Sequence, residues 1–283
     1  MASIVETVKM GADKLRAFKI DNPDIDSFEL FSDITGITKM DYLVHGKREV
    51  SQSDYDKFKG YIDRRCSHEP LQHILGKAWF YGRTFTVNRD VLIPRFDTEV
   101  LIEQSLKLLK GNEYVLDMCT GSGCIIATLA LERKLGKAVG VDLSKAAIEV
   151  AKDNMIRLGA DVELIQSDLF TELEGKEQYE KWDMIVSNPP YIETSVINTL
   201  SEEVRCFDPI MALDGYEDGL HFYRCITKKA KHFLKKDGVL VYEIGHNQGQ
   251  AVSSIMKQEG FYGIHVVEDY AGLDRVVIGF NNW

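Results

Sequence analysis

The chain has 283 residues, of which 45% are hydrophobic and 28% charged, with a formal net charge of -10. That length suits one large domain plus a small one, and the composition makes disorder the wrong default. No run approaches the ~18 apolar residues of a membrane span, and the acidic balance argues against a broad basic face for nucleic acid.

The first twenty residues, MASIVETVKMGADKLRAFKI, mix charges into an amphipathic pattern and do not read as a signal peptide, so a cytoplasmic protein is expected. Val5, Val8, Met10, Leu15, Phe18 and Ile20 fall near helical spacing, Phe28, Leu30, Phe31 and Ile34 form a second apolar face, and a third helix is expected to start near Ser51, carrying Tyr55, Phe58, Tyr61 and Ile62. Residues 78–94 switch to alternation with aromatic and β-branched side chains, which predicts a β-hairpin.

From about residue 96 helices and strands alternate. Helices are expected over 101–109, 125–134, 144–159 (starting on Ser144) and 219–236 (closed by Gly238). Strands are expected over 114–118, 138–142, 162–168, 183–188 and 239–245, with a closing antiparallel pair over 261–269 and 275–280. This pattern implies an α/β fold with a doubly wound, mostly parallel sheet. The boundaries read as a helical domain over 1–73, a hairpin linker over 74–95 and the α/β domain over 96–283. Charge is unevenly shared: residues 1–95 carry 15 Lys and Arg against 14 Asp and Glu, residues 96–283 carry 19 against 30.

The five cysteines are odd in number and never spaced C-x-x-C, which disfavours a disulfide framework or a zinc site, and no metal is expected. Cys119 and Cys124 read as small apolar space-fillers. His73, His221 and His246 receive no role.

Chemistry begins at Asp117-Met118-Cys119-Thr120-Gly121-Ser122-Gly123, between a strand and a helix. Gly121 and Gly123 allow a sharp turn and a close backbone approach to a ligand. Asp142 ends the next strand, where a carboxylate can take both hydroxyls of a ribose. A dinucleotide fingerprint requires a third glycine where Ile126 stands. S-adenosylmethionine has no pyrophosphate and carries two positive groups, which suit Asp117 and an acidic domain. Asp168 can receive the adenine amino group, and Leu169 or Phe170 can cover the ring.

Asn188-Pro189-Pro190-Tyr191 follows the next strand on the same edge of the sheet. The prolines stiffen the backbone and remove N–H donors, so the loop offers acceptors, the Asn188 side-chain oxygen and the Pro189 carbonyl. Two fixed acceptors match the two hydrogens of a planar NH2 group, and Tyr191 adds a flat face. The pattern reads as an amino-methyltransferase, with a non-catalytic cofactor-binding module as a weaker reading.

Together these residues resemble the peptide chain release factor N5-glutamine methyltransferases (HemK/PrmC), over about Pro70 to Phe280. The specific part is the block Pro70-Leu71-Gln72-His73-Ile74-Leu75-Gly76, Phe80-Tyr81-Gly82-Arg83 and Val91-Leu92-Ile93-Pro94-Arg95. The match continues through Glu203-Val204-Arg205, Asp218-Gly219-Leu220, Glu243-Ile244-Gly245, Gln248-Gly249 and Asp274-Arg275-Val276. The Asn-Pro-Pro-Tyr tetrad alone is shared with adenine N6 methyltransferases of DNA, and an enzyme of that kind acting on DNA or RNA is the alternative.

The resemblance implies a seven-stranded methyltransferase sheet with a small N-terminal helical domain joined by a β-hairpin. It implies transfer of a methyl group from S-adenosyl-L-methionine, leaving S-adenosyl-L-homocysteine, to the glutamine of the Gly-Gly-Gln motif in class 1 peptide release factors. Asn188 and Pro189, followed by Pro190, would hold the glutamine amide beside Tyr191. The loop from Cys119 to Gly123 would hold the methionine part of the cofactor and Asp142 its ribose, with the helical domain on a distant surface of the release factor. A monomer is expected, with neither membrane nor nucleic acid as partner. The chain departs from the family in having Arg95-Phe96-Asp97-Thr98-Glu99 for the usual Arg-Pro-Glu-Thr-Glu, leucine for an aromatic at 169, and cysteine for glycine at 119. That cysteine is tolerable only if its backbone avoids positive φ.

Overall fold

The computed structural model describes residues 2–175 and 178–282 and divides into two compact units. The first holds the residues up to Lys77 together with Ser201–Phe207. Its helices are α1 (Ile4–Ala17), α2 (Pro23–Thr35), α3 (Lys39–His45), α4 (Gln52–Cys66) and α5 (Leu71–Leu75). They pack around the fully buried Leu15, Leu30, Phe31, Phe58 and Ile62.

The α1 stripe is Ile4, Val8, Ala12 and Leu15, at spacings of four, four and three. Val5, Met10 and Phe18, expected on the apolar face, are exposed. Ser3 and Glu6 close a reciprocal capping box at the start of α1. Ser51 caps the helix expected there by accepting from the Asp54 N–H, but that helix is the fourth, because α3 intervenes. Within this unit the buried Arg65 donates from Nε to Asp26 at 2.7 Å and from Nη2 to Glu203 at 2.5 Å. Residues 201–207 therefore belong with the helices, where the sequence reading had placed them in the α/β domain.

The second unit holds Ala78–Leu200 and the residues from Asp208 on. The hairpin expected over 78–94 is narrower, formed by β1 (Lys77–Phe80) and β2 (Arg83–Thr86). The next elements are α6 (Thr98–Leu108), β3 (Tyr114–Met118), α7 (Cys124–Glu132), β4 (Lys137–Asp142), α8 (Lys145–Leu158), β5 (Glu163–Gln166) and β6 (Trp182–Ser187). They are followed by α9 (Thr194–Ile197), α10 (Glu202–Phe207, in the first unit), α11 (His221–Phe233), β7 (Leu234–Glu243), α12 (Gly249–Gln258), β8 (Tyr262–Glu268) and β9 (Asp274–Phe280).

The seven strands run in the order β5-β4-β3-β6-β7-β9-β8. Neighbours from β5 to β7 are parallel, and β9 is antiparallel to both β7 and β8. This is the doubly wound, mostly parallel sheet the alternation implied. One face packs Val115, Val186 and Val241 against α6 and α7, while the other packs Leu116, Ile185 and Leu240 against α11. Both faces being covered, the central strands are apolar on both sides. The helix expected over 219–236 stops at Phe233 without a glycine cap, because Leu234 already pairs with Trp182 of β6.

Candidate active site

Strand order reverses between β3 and β6, and in open α/β sheets the crevice at that switch lies outside the carboxyl ends of the strands. An open cleft occupies this place. Its wall includes Cys119, Thr120, Gly121, Ser122, Asp142, Asp168, Leu169, Asn188 and Pro190. The glycine loop, the β4 carboxylate and the asparagine of the tetrad are thus brought together.

In the glycine loop, Gly123 caps α7 at φ 76°, and a Cβ there would lie 2.5 Å from the Met155 methyl. Only glycine fits both demands. Cys119 takes φ 63°, so the condition under which a cysteine was expected to be tolerable is not met. The left-handed region disfavours a side chain, and strain of this kind gathers at ligand sites. Cys124 is buried, as a space-filler should be, and burial pushes its thiol up to about 12. Burial likewise raises the Cys119 thiol, so neither is a nucleophile at neutral pH.

Asp142 accepts from the Gly121 N–H at 2.8 Å and from the Ser144 N–H at 2.9 Å. Burial raises its carboxyl, and these backbone bonds oppose the rise. The arrangement tests which cofactor fits. In a dinucleotide site a loop N–H of this kind faces phosphate, whereas here it is taken by a carboxylate that would repel a diphosphate. Ile126, where a third glycine would stand, is fully buried. A cleft walled by Asp142, with lone pairs left for ribose hydroxyls, fits S-adenosylmethionine.

Asp117 does not reach the wall. It is fully buried beneath the loop and accepts from the Thr120 hydroxyl at 2.5 Å, and its other oxygen has no partner among the described residues. Asp117, expected as a cofactor contact, thus meets the cleft only through Thr120, which does line it. Burial, opposed by the Thr120 bond, pushes its carboxyl from 3.8 up to about 7. The folded chain then keeps a proton that the unfolded chain releases, so stability falls as pH rises from about 4 to about 7. Relative to Asp117→Asn, the wild type is expected to lose melting temperature across that window in thermal scans without cofactor. A pH-independent difference would contradict the assignment.

Asp168 is exposed on the wall and caps no helix, since the short turn after it spans Thr171–Leu173 with Phe170 at the cap position and no side-chain cap bond. Leu169, at φ 49°, also faces the cleft. Phe170 is not free to cover a ring, being fully buried 4.5 Å from the Phe233 ring. Phe222 lines the cleft instead, an aromatic that helical periodicity gave no reason to single out.

In the tetrad, Asn188 sits on the wall and donates from Nδ2 to the Thr98 hydroxyl at 3.4 Å. That leaves its side-chain oxygen as the end able to serve a ligand. Pro190 lines the cleft, but Pro189 is buried off the wall. The Tyr191 ring, expected as a stacking face, packs against the core behind the loop. Its backbone is held in place: the Tyr191 carbonyl accepts from Gln248 Nε2 at 3.0 Å, and Gln248 Oε1 accepts from the Gly245 N–H at 3.0 Å. Gly219, at φ 68°, is pressed so closely on the Tyr191 carbonyl that a Cβ would collide with it. These residues stood in the sequence as parts of Asp218-Gly219-Leu220 and Gln248-Gly249, without a role. Arg95, Thr98 and Val91 also line the cleft.

Comparison with known proteins bears on this site. Residues 6–76 match the family model described as PrmC N-terminal domain, and residues 109–272 the one described as Methyltransferase domain. A release factor glutamine methyltransferase of Fusobacterium nucleatum is 40% identical over 263 residues, 92% of this chain and 73% of that protein. One from Agrobacterium fabrum is 38% identical over 272 residues, 93% of this chain and 92% of that protein. A methyltransferase structure from Pyrococcus furiosus shares the fold, with TM-score 0.53 and 16% identity over 72% of this chain and 91% of that one. With an Asp142-lined glycine loop facing Asn188 across one cleft, and identity at this level over nearly the whole length, the chain belongs to the release factor glutamine methyltransferase family.

Proposed function

We propose that this chain transfers a methyl group from S-adenosyl-L-methionine to the side-chain amide nitrogen of the glutamine in the Gly-Gly-Gln motif of class 1 peptide chain release factors. One observation carries the reading: Asn188, whose Nδ2 donates to Thr98, lines the same cleft as the glycine loop and Asp142, which leaves its side-chain oxygen as the end to accept from a ligand. Relatives bearing the name release factor glutamine methyltransferase support the choice of substrate.

An amide nitrogen is a poor nucleophile because its lone pair is conjugated, on the scale of the ~18–20 kcal/mol rotation barrier. Asn188 Oδ1 would accept one hydrogen of the NH2 group and help orient its lone pair toward the cofactor; the carbonyl of Pro189, a residue off the cleft wall, would accept the other only once the seated substrate brings the two together. Both bonds strengthen as positive charge grows on nitrogen, so they favour the transition state over the ground state. Asp142 would hold the ribose, and the Cys119–Ser122 backbone the methionine portion. When bound, S-adenosylmethionine supplies a methyl group on a sulfonium, and the electrons of the breaking S–C bond stay on sulfur as S-adenosyl-L-homocysteine. The attacking nitrogen gives its new N–C bond from its lone pair and then loses one proton to water. No side-chain base is required, because that nitrogen is acidic once methylated.

The enzyme would act in the cytoplasm, as a monomer, on a protein rather than on nucleic acid. Among the described residues no helix is long and apolar enough to cross a membrane. Incubation with S-adenosylmethionine and a bacterial release factor, followed by tandem mass spectrometry, tests the reading. One methyl on the Gly-Gly-Gln glutamine is expected, and none when that glutamine is replaced by glutamate. Methyl transfer to adenine in DNA or RNA, with the protein unmodified, would overturn it.

A further inference from the structure

Glu243, the last residue of β7, is 2% exposed, and its Oε2 has no hydrogen-bond partner among the described residues. Taking a carboxylate out of water costs several kcal/mol unless it is well paired. A buried, incompletely satisfied one calls for an explanation.

Its place in the sheet supplies one. β6 and β7 run parallel with Ser187 opposite Tyr242, so the next step puts Asn188 beside Glu243. Side chains alternate along strands, and both therefore point to the face of Val186 and Val241, which α6 covers. The first residue of α6 is the buried Thr98, whose hydroxyl takes the Asn188 Nδ2 hydrogen at 3.4 Å. The side chains of Thr98 and Asn188 both approach the Glu243 carboxyl.

The two ends of an asparagine amide have nearly the same shape, so only hydrogen-bond partners decide which faces outward. A threonine hydroxyl has a single hydrogen. If that hydrogen goes to an ionised carboxylate, which can only accept, the hydroxyl oxygen can only accept from its other neighbour. Nδ2 of Asn188 must then turn inward and Oδ1 outward. We propose that Glu243 is a positioning residue: through Thr98 it fixes the polarity of the Asn188 amide, so that the substrate NH2 group always meets an acceptor. A glutamine of the same shape would avoid the charge, but it could donate to Thr98. The hydroxyl would then be free to donate to Asn188, and the amide could face the cleft with either end.

The inference rests on the methyltransferase reading above, and the two are separable by experiment. The full-length chain is assayed for methyl transfer to a Gly-Gly-Gln release factor. Glu243→Gln is expected to lower kcat roughly 10–100-fold, the scale seen when an outer partner of a functional group is lost, with KM for S-adenosylmethionine and the melting temperature little changed. Thr98→Val should match that loss, and Thr98→Ser should recover most of it. This pair keeps the test decisive if Glu243→Gln fails to fold.

A pH profile adds a readout that packing alone would not move. Burial pushes the Glu243 carboxyl up to about 7, with Thr98, Asn188 and Arg275 of β9 holding it down and Asp97 pushing it up. Cys124 of α7, Tyr191 and Tyr223 of α11, which feel its field, are all raised further from neutrality by burial. Asp117, the other carboxyl near 7, lies beneath the glycine loop and is common to both proteins. Wild-type kcat should therefore rise through about pH 7 by a component that Glu243→Gln lacks. Equal kcat and equal profiles, or Thr98→Ser as slow as Thr98→Val, would overturn the proposal. Absence of any transfer by the wild type would instead defeat the functional reading beneath it.

Discussion

Asn188→Ala is expected to lower kcat by about 10²–10³-fold, the cost of removing one preorganised partner of developing charge. The affinity for S-adenosylmethionine should stay nearly intact, because the cofactor's proposed partners are Asp142 and the Cys119–Ser122 loop. The effect should appear in kcat more than in KM, since a bond that strengthens as charge grows acts on the transition state. The loop itself should survive the change. Its backbone is stapled through the Tyr191 carbonyl to Gln248 and backed by Gly219, neither of which depends on the Asn188 side chain. Single-turnover kinetics and calorimetry on one preparation check both halves, and unchanged turnover would refute the role given to Asn188.

Asp142→Ala should behave in the opposite way, raising the Kd for S-adenosylmethionine by roughly 10²-fold. The carboxylate accepts from the Gly121 and Ser144 N–H groups, so its loss removes a proposed ribose partner and also frees two backbone donors that shape the loop. Hydrogen bonds to a charged group contribute about 1.5–3 kcal/mol each, enough for a hundredfold change. Calorimetric titration should show the weakened binding, and the thermal shift produced by the cofactor should shrink with it. An unaltered affinity would mean that the nucleoside lies elsewhere in the cleft.

Much of this architecture was legible because burial leaves a period in the sequence. β3 matches its expected span to the residue, an apolar run closed by a glycine loop, and the helix expected to start on Ser144 starts one residue later, with Ser144 as its N-cap. Segments without such a period escaped. α3 has no buried residue and hence no stripe to detect, and α12 buries only Gly249, Val252 and Met256 along ten residues. The end of α11 was overrun because helical spacing continues into residues that the sheet claims for β7. Backbone conformation was also out of reach: nothing in the letter cysteine reveals φ 63° at position 119.

The candidate site divides along the same line. Residues whose chemistry is local, such as Asp142 and Asn188, could be singled out from their motifs. Asp117 and Tyr191 carry the right chemistry yet lie behind the wall, because strand alternation and core packing turn them inward. Thr98, Glu243 and Gln248 act on the tetrad from elsewhere in the chain, and only the sheet register brings Glu243 beside Asn188.

A crystal structure with S-adenosyl-L-homocysteine and a Gly-Gly-Gln peptide would show what faces the substrate nitrogen. The glutamine NH2 should lie within hydrogen-bond distance of Asn188 Oδ1 and the Pro189 carbonyl, with its nitrogen in line with the cofactor sulfur. An Asn188 side chain pointing away from the peptide, or a glutamine bound by its oxygen instead of its nitrogen, would contradict it.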